Sequence, residues 1–287
     1  MDDQAKEIYD RIAFLLDEVD ARLDEGHADE GLELALQAQK LLERNQKVEE
    51  LKPKLLDLEV DTRYLLAASR FELGDMAAAL REYETVRKLD GRDAEIDYWQ
   101  ARALFHSWRF DEAAQMIARH KPKSNTKAGV YYYHALLADF AGKRGDADEL
   151  FAKAARENSD DYPLPVRLPE DEVQGMLEDL LEALPRDVRK ALADVEISLL
   201  ALPDPKIHTS PDVDPLVLGL YSGVNLLERQ GDTVAPSMDR IEIFQRNVER
   251  VVGDKDELRE ELKITLLHEI GHHLGWEEED LAQRGLN

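Results

Sequence analysis

His268-Glu269-Ile270-Gly271-His272-His273-Leu274-Gly275-Trp276-Glu277-Glu278 is the stretch that decides how the C-terminal part of this 287-residue chain is read. Leu258, Leu262, Leu266 and Ile270 or Leu274 recur at helical spacing, and the acids Asp254 to Asp256 suit a helix N-terminus. A helix is therefore predicted from about Asp254–Asp256 to Gly275. His268 and His272 are four residues apart, about 400° of helical turn, so both imidazoles project from one face, as two metal ligands must. Glu269, beside the first imidazole, can reach a water at the metal without taking a coordination position, accept its proton and pass it to a leaving amine. Two imidazoles make half of a tetrahedral site, and a catalytic zinc needs a third protein ligand and an open position. Gly275 can take the left-handed conformation that turns the chain back, and the acidic run Glu277-Glu278-Glu279-Asp280 puts a carboxylate where it returns. His273 is rotated by about 100° from the ligand face, which predicts a supporting or surface role. Trp276 is expected to close the turn by packing.

The whole composition narrows the chemistry. There is no cysteine, so disulfides, thiolate ligands and a Cys nucleophile are excluded, and any metal sits on His and carboxylate. A formal net charge of -25 disfavours nucleic acid and anionic membrane surfaces, which are bound by clustered Lys and Arg. The acidic start Met1-Asp2-Asp3-Gln4 differs from a basic signal peptide, and no apolar run approaches the roughly 20 residues of a membrane span, so a cytoplasmic location is expected. Hydrophobic residues at 43% suffice for packed cores, and the length suggests two domains.

From about Gln4 to Asn158 the chain reads as helix after helix. The pairs Tyr64/Tyr98, Ala67/Ala101, Phe71/Phe105 and Ala79/Ala113 are each 34 apart, a period that makes each unit a helical hairpin. Small Ala67 and Ala79 let two helices approach closely, and Tyr64, Phe71 and Tyr83 fill the space between neighbouring hairpins. A further unit runs through Tyr132, Ala135, Gly145-Asp146 and Leu150, with about three extra residues before its turn. A degenerate first unit pivots on Gly26-His27 before Gly31 and Ala35, giving about four units. Aromatics at this spacing are more often inter-repeat core than ligand anchors. His106, His120 and His134, scattered singly, are expected to pack or face solvent.

The helical pattern stops at Ser159-Asp160-Asp161-Tyr162-Pro163-Leu164-Pro165, with Pro169 following, which marks a linker at 161–169. One amphipathic helix follows, with Val173, Met176, Leu177, Leu180, Leu181 and Leu184 on one face and Pro185 at its end. Val195–Leu199, Leu216–Tyr221 and Arg240–Phe244 are short and β-branched or alternating, and read as strands. The connecting loops, Pro203 to Pro215 and Glu228 to Asp239 with Gly231 and Pro236, carry no phosphate-cradling glycine pattern. His208 is the only histidine between linker and final helix, a minor alternative ligand, and no Ser-His-Asp arrangement can be argued.

Two resemblances complete the reading. Phe71-Glu72-Leu73-Gly74-Asp75-Met76-Ala77-Ala78-Ala79-Leu80 resembles the core of the tetratricopeptide family, over roughly half the chain, and implies a concave surface that holds a peptide or partner protein and that aromatics such as Trp99, Trp108 and Tyr131 to Tyr133 could line. The run from His268 to Glu278 resembles the HExxHxxGxx(D/H) signature of metzincin-type zincins, and more narrowly the minimal-zincin family of bacterial zinc metallopeptidases. The helix ending at Leu184-Pro185, Leu218–Val224 and Asp239–Phe244 are similar to that family too, so this resemblance spans roughly Pro169 to Asn287. It implies a third ligand at Glu278, where the family carries Asp, with Glu279 and Asp280 as fallbacks. A ligand on a later helix is nearly excluded, since nine residues follow Glu278 and leave room only for a short cap. The expected architecture is an all-α tetratricopeptide-like repeat at 1–160, a linker at 161–169 and a small α+β zincin-like domain at 170–287. The expected function is a zinc metallopeptidase with ligands His268, His272 and Glu278 and general base Glu269, its repeats recruiting a protein or peptide. The alternative is an interaction scaffold with a structural or catalytically weak zinc site.

Overall fold

A computed structural model describes residues 2–90, 95–120, 126–210, 212–225 and 239–286. The second inter-strand loop, with Gly231 and Pro236, lies almost wholly outside the described residues. Two compact units divide the chain at Leu137/Ala138.

The first unit is built from helical hairpins. α1 (Asp3–Asp24) and α2 (Ala28–Asn45) turn at Gly26, α3 (Lys52–Glu72) and α4 (Met76–Leu89) at Gly74, and α5 (Glu95–His106) and α6 (Phe110–Arg119) at Trp108, before α7 (Lys127–Phe140). The 34-residue register predicted the buried positions: Ala67, Ala101 and Ala135 are at most 1% exposed, and Ala79 and Ala113 are fully buried. Tyr64 meets Tyr83 at a tilt and Trp99 edge-on, with ring centroids 6.2 and 6.0 Å apart, so the aromatics do fill the space between hairpins. Tyr133 is buried and hydrogen-bonds His106 at 2.9 Å, His120 is buried against Thr126 at 3.1 Å, and burial holds His134 below the ordinary imidazole range. All three histidines are packing residues.

One turn differs from expectation. Gly74, Trp108 and Gly142 are 34 apart and all adopt positive φ, at 78°, 61° and 73°. The turn before α8 (Arg144–Glu157) is therefore at Gly142, Gly145 lies within the helix, and the unit carries no extra residues. The middle unit puts tryptophan at the glycine position, which removes the landmark that would have revealed the unbroken period.

The second unit holds the end of α7, α8, α9 (Glu170–Ala183), α10 (Arg186–Ala191), β1 (Val195–Leu200), β2 (Gly219–Ser222), β3 (Asp239–Phe244), α11 (Gln245–Val248), α12 (Lys255–Leu274) and α13 (Glu278–Ala282). The proline stretch at 161–169 thus falls inside this unit. Buried charge accounts for the grouping: the Arg246 guanidinium donates to Asp139 at 2.8 Å and to Asp148 at 3.1 Å, while Arg167 donates to Asp148 at 2.9 Å and Glu249 at 2.8 Å. Asp139 and Glu249 are buried, so their pairs are shielded from water and couple more strongly than surface pairs, whereas Asp148 is open to solvent.

The sheet order is β1-β3-β2, with β1 parallel and β2 antiparallel to the central β3. Ile197, Ile241 and Tyr221 are paired neighbours, as are Leu199, Ile243 and Gly219, so alternation puts all six on one face. That face packs with Leu258, Leu262, Leu266 and Ile270 of α12 and Val173, Met176 and Leu177 of α9. The predicted helix faces are the observed core. No helix among the described residues is long and apolar enough to cross a membrane.

Candidate metal centre

α12 begins where its acids predict: the Asp254 carboxylate accepts from the backbone N–H of Asp256 at 2.8 Å and of Glu257 at 2.9 Å. It ends at Gly275 in the left-handed conformation, φ 88°, with Trp276 N–H donating to the Gly271 carbonyl at 2.9 Å. The return then depends on a glycine that the motif reading left without a role. A Cβ on Gly271 would overlap the Leu281 side chain and stand 3.0 Å from Trp276 Cε3. Only a hydrogen there lets α13 fold back against the last turn of α12, with Trp276 closing the corner.

That return puts Glu278 over the two imidazoles. His268 Nε2 and His272 Nε2 are 2.9 Å apart, and Glu278 Oε1 is 3.3 Å from the second and 4.0 Å from the first. Three donors around a tetrahedral zinc, with bonds of about 2.0–2.2 Å, stand roughly 3.3 Å from one another, and the three separations bracket that value. Two imidazoles and one carboxylate are a borderline donor set that zinc accepts, so the residues fit the ion. The fallback acids are engaged or elsewhere: Asp280 accepts from the Glu277 N–H at 3.3 Å in a reciprocal cap of α13, and Glu279 is exposed and outside the cluster.

The supporting contacts orient the lone pairs. The Leu286 carbonyl accepts from His268 Nδ1 at 2.6 Å, which puts the proton on Nδ1 and leaves Nε2 as the free donor. Burial, followed by the proximity of His268, holds His272 below the ordinary imidazole range, favouring the neutral form that ligation requires. Leu286 was not foreseen, and a backbone carbonyl has no side-chain signature by which to find it.

Glu269 lies beside the triad and is 7% exposed. Burial pushes its carboxyl up to about 7, raised further by Glu278 and opposed by His268 and by a hydrogen bond from the Tyr221 backbone. β2 brings that backbone within reach because residue 219 is glycine: a Cβ there would stand 2.8 Å from Thr265 Cγ2 and 2.9 Å from Glu269 Cγ. His273 points the other way, as its rotation predicted, and is buried, not at the surface. Its Nδ1 is 3.2 Å from Asp239 and 3.4 Å from the Tyr221 hydroxyl, and its Nε2 bonds the Ala191 carbonyl at 3.3 Å. It ties the metal-facing helix to β2 and β3.

His208 is not part of the cluster. Its Nε2 bonds Glu242 at 2.9 Å, and Glu242 alternates with Ile241 and Ile243 to face the side of the sheet opposite α12. A pocket of about 260 Å³ adjoins His268 and Glu269, walled by Val217, Leu218, Gly219, Ile264 and Leu286 with Glu261.

Residues 192–286 match the family model described as zincin-like metallopeptidase. No curated protein matches the chain. The matched span contains the sheet, the His-Glu-His helix and the return through Glu278, whereas α9, which shares their core, precedes it.

Proposed function

We propose that this zincin-like domain is a zinc-dependent peptidase with Glu269 as general base, and that the helical repeats recruit its protein substrate or a partner. The observation that carries the reading is the placement of a buried carboxylate beside three converging donors and under a sheet edge. His268 and His272 would hold the ion through Nε2 and Glu278 through Oε1. A bound zinc supplies polarisation of the scissile carbonyl and makes water easier to deprotonate. Glu269 takes the proton of the attacking water and returns it to the leaving amine. β2 pairs with β3 along one edge and has no strand on its other edge among the described residues, so a substrate backbone can align there. A structural zinc is closed by four protein ligands, whereas His268 and His272 keep 23% and 29% of their side-chain surface open beside a pocket, which favours the catalytic reading over the scaffold alternative.

Metal analysis alongside peptide hydrolysis tests the proposal. Wild type is expected to hold one zinc, His268→Ala and Glu278→Ala to lose it, and Glu269→Gln to keep it while hydrolysis falls by at least about 100-fold. A Glu269→Gln protein that retains zinc and cleaves as fast as wild type would defeat the reading.

A further inference from the structure

Glu261, Thr265 and His268 lie at i, i+4 and i+7 on α12 and all border the pocket beside Glu269. Seven residues advance about 10 Å along a helix, so Glu261 stands at the end of the pocket far from the donor cluster. The remaining lining is mostly apolar, from Val217, Leu218, Ile264 and Leu286, with Gly219, Thr265 and, beside the donor cluster, Glu269. A volume near 260 Å³ is below the roughly 300–1,000 Å³ of pockets for whole small ligands and suits one long side chain.

Glu261 also differs from its acidic neighbours. Glu257 accepts from the Gly253 N–H at 2.7 Å and Glu260 pairs with Lys263 at 2.9 Å, but the half-buried Glu261 has no hydrogen bond or ion pair among the described residues. An apolar corridor ending in an unpaired carboxylate complements a methylene stem ending in a cation. We infer that this pocket selects a lysine or arginine side chain next to the scissile bond, with Glu261 reading its charge. The inference rests on the peptidase reading for its position in the reaction, but the pocket chemistry can be measured without catalysis. A net charge of -25 adds attraction for cationic substrates at longer range. A neutral residue in the pocket would leave the Glu261 charge desolvated without a partner, and an acidic one would meet it with like charge.

The test uses the zinc-loaded Glu269→Gln protein and peptides that differ at one position, Lys, Arg, Leu or Glu, with affinities measured by calorimetry. Lys and Arg peptides are expected to bind about tenfold more tightly than the Leu peptide, and the Glu peptide most weakly. Adding Glu261→Gln should remove that order and Glu261→Lys should reverse it, with zinc content unchanged as the check on folding. Equal affinities, or a basic preference that survives Glu261→Gln, would overturn the inference whether or not the wild type hydrolyses any of these peptides. A basic preference that depends on Glu261, in a wild type that cleaves none of them, would leave the pocket standing and remove the peptidase reading.

Discussion

Glycine works differently at a hairpin turn of the first unit and at two close contacts of the second. At Gly74 in the first, φ is 78° and an added Cβ would meet nothing within 4 Å, so the residue is there for its backbone conformation. At Gly219 and Gly271 in the second, φ is ordinary and an added Cβ would collide with Glu269 or Leu281, so the residue is there for closeness. The repeat tolerates a bulky side chain at its turn if the backbone strain is met, and Trp108 in the position equivalent to Gly74 shows that it does. The candidate metal centre has no such freedom at Gly219 and Gly271, which set the distance between α12 and the elements packed against it.

Four substitutions test that contrast. Gly271→Ala should act most strongly, costing about 3 kcal/mol, at the upper end for overpacking a tight contact, and pushing α13 outward with Glu278. Denaturant unfolding would report the stability and zinc titration a weakened affinity, and unchanged zinc binding would sever the link between that contact and Glu278 as the proposed third ligand. Gly219→Ala should cost about 1–2 kcal/mol and displace Glu269 or β2, lowering hydrolysis while zinc content holds. Equal loss of zinc and activity would show that β2 supports the ligands as well as the base. Gly74→Ala should cost about 1 kcal/mol through left-handed strain, seen as a thermal shift of a few degrees with zinc affinity untouched. Trp108→Gly should change stability least, within about 1 kcal/mol, because the relieved strain offsets the lost ring contact with Phe110 at 5.7 Å. A loss well beyond that would mean that the tryptophan is retained for packing and not merely tolerated.

Much of this was legible because it is local. The 34-residue spacing predicted which alanines are buried, Leu258 to Ile270 predicted the buried side of α12, and Gly275 marked its end. What escaped the sequence depends on contacts between distant segments. Leu216 to Leu218 look like strand but precede it: the Pro215 and Val217 carbonyls accept from the Asn247 side chain at 3.0 and 2.6 Å, and within that stretch the Leu218 carbonyl alone reaches β3, accepting from the Phe244 N–H at 2.8 Å. The parallel pairing of β1 with β3, the role of Leu286 and the grouping of α8 through Arg246 likewise join residues far apart in the chain, and no periodicity encodes them. At the site, spacing named the two imidazoles and the family resemblance named Glu278, but the reason the chain returns at the right height lies in Gly271, inside the motif and without a side chain to notice.

β2 carries a last consequence, for self-association. A sheet edge with no strand beside it among the described residues invites the edge of another molecule as readily as a substrate, and proteins often limit this by keeping edge strands short. β2 is four residues long, and in an antiparallel ladder only every second residue directs its N–H and C=O outward. The edge can hold a few residues of extended peptide, yet it is too brief to seed a continuous sheet between copies.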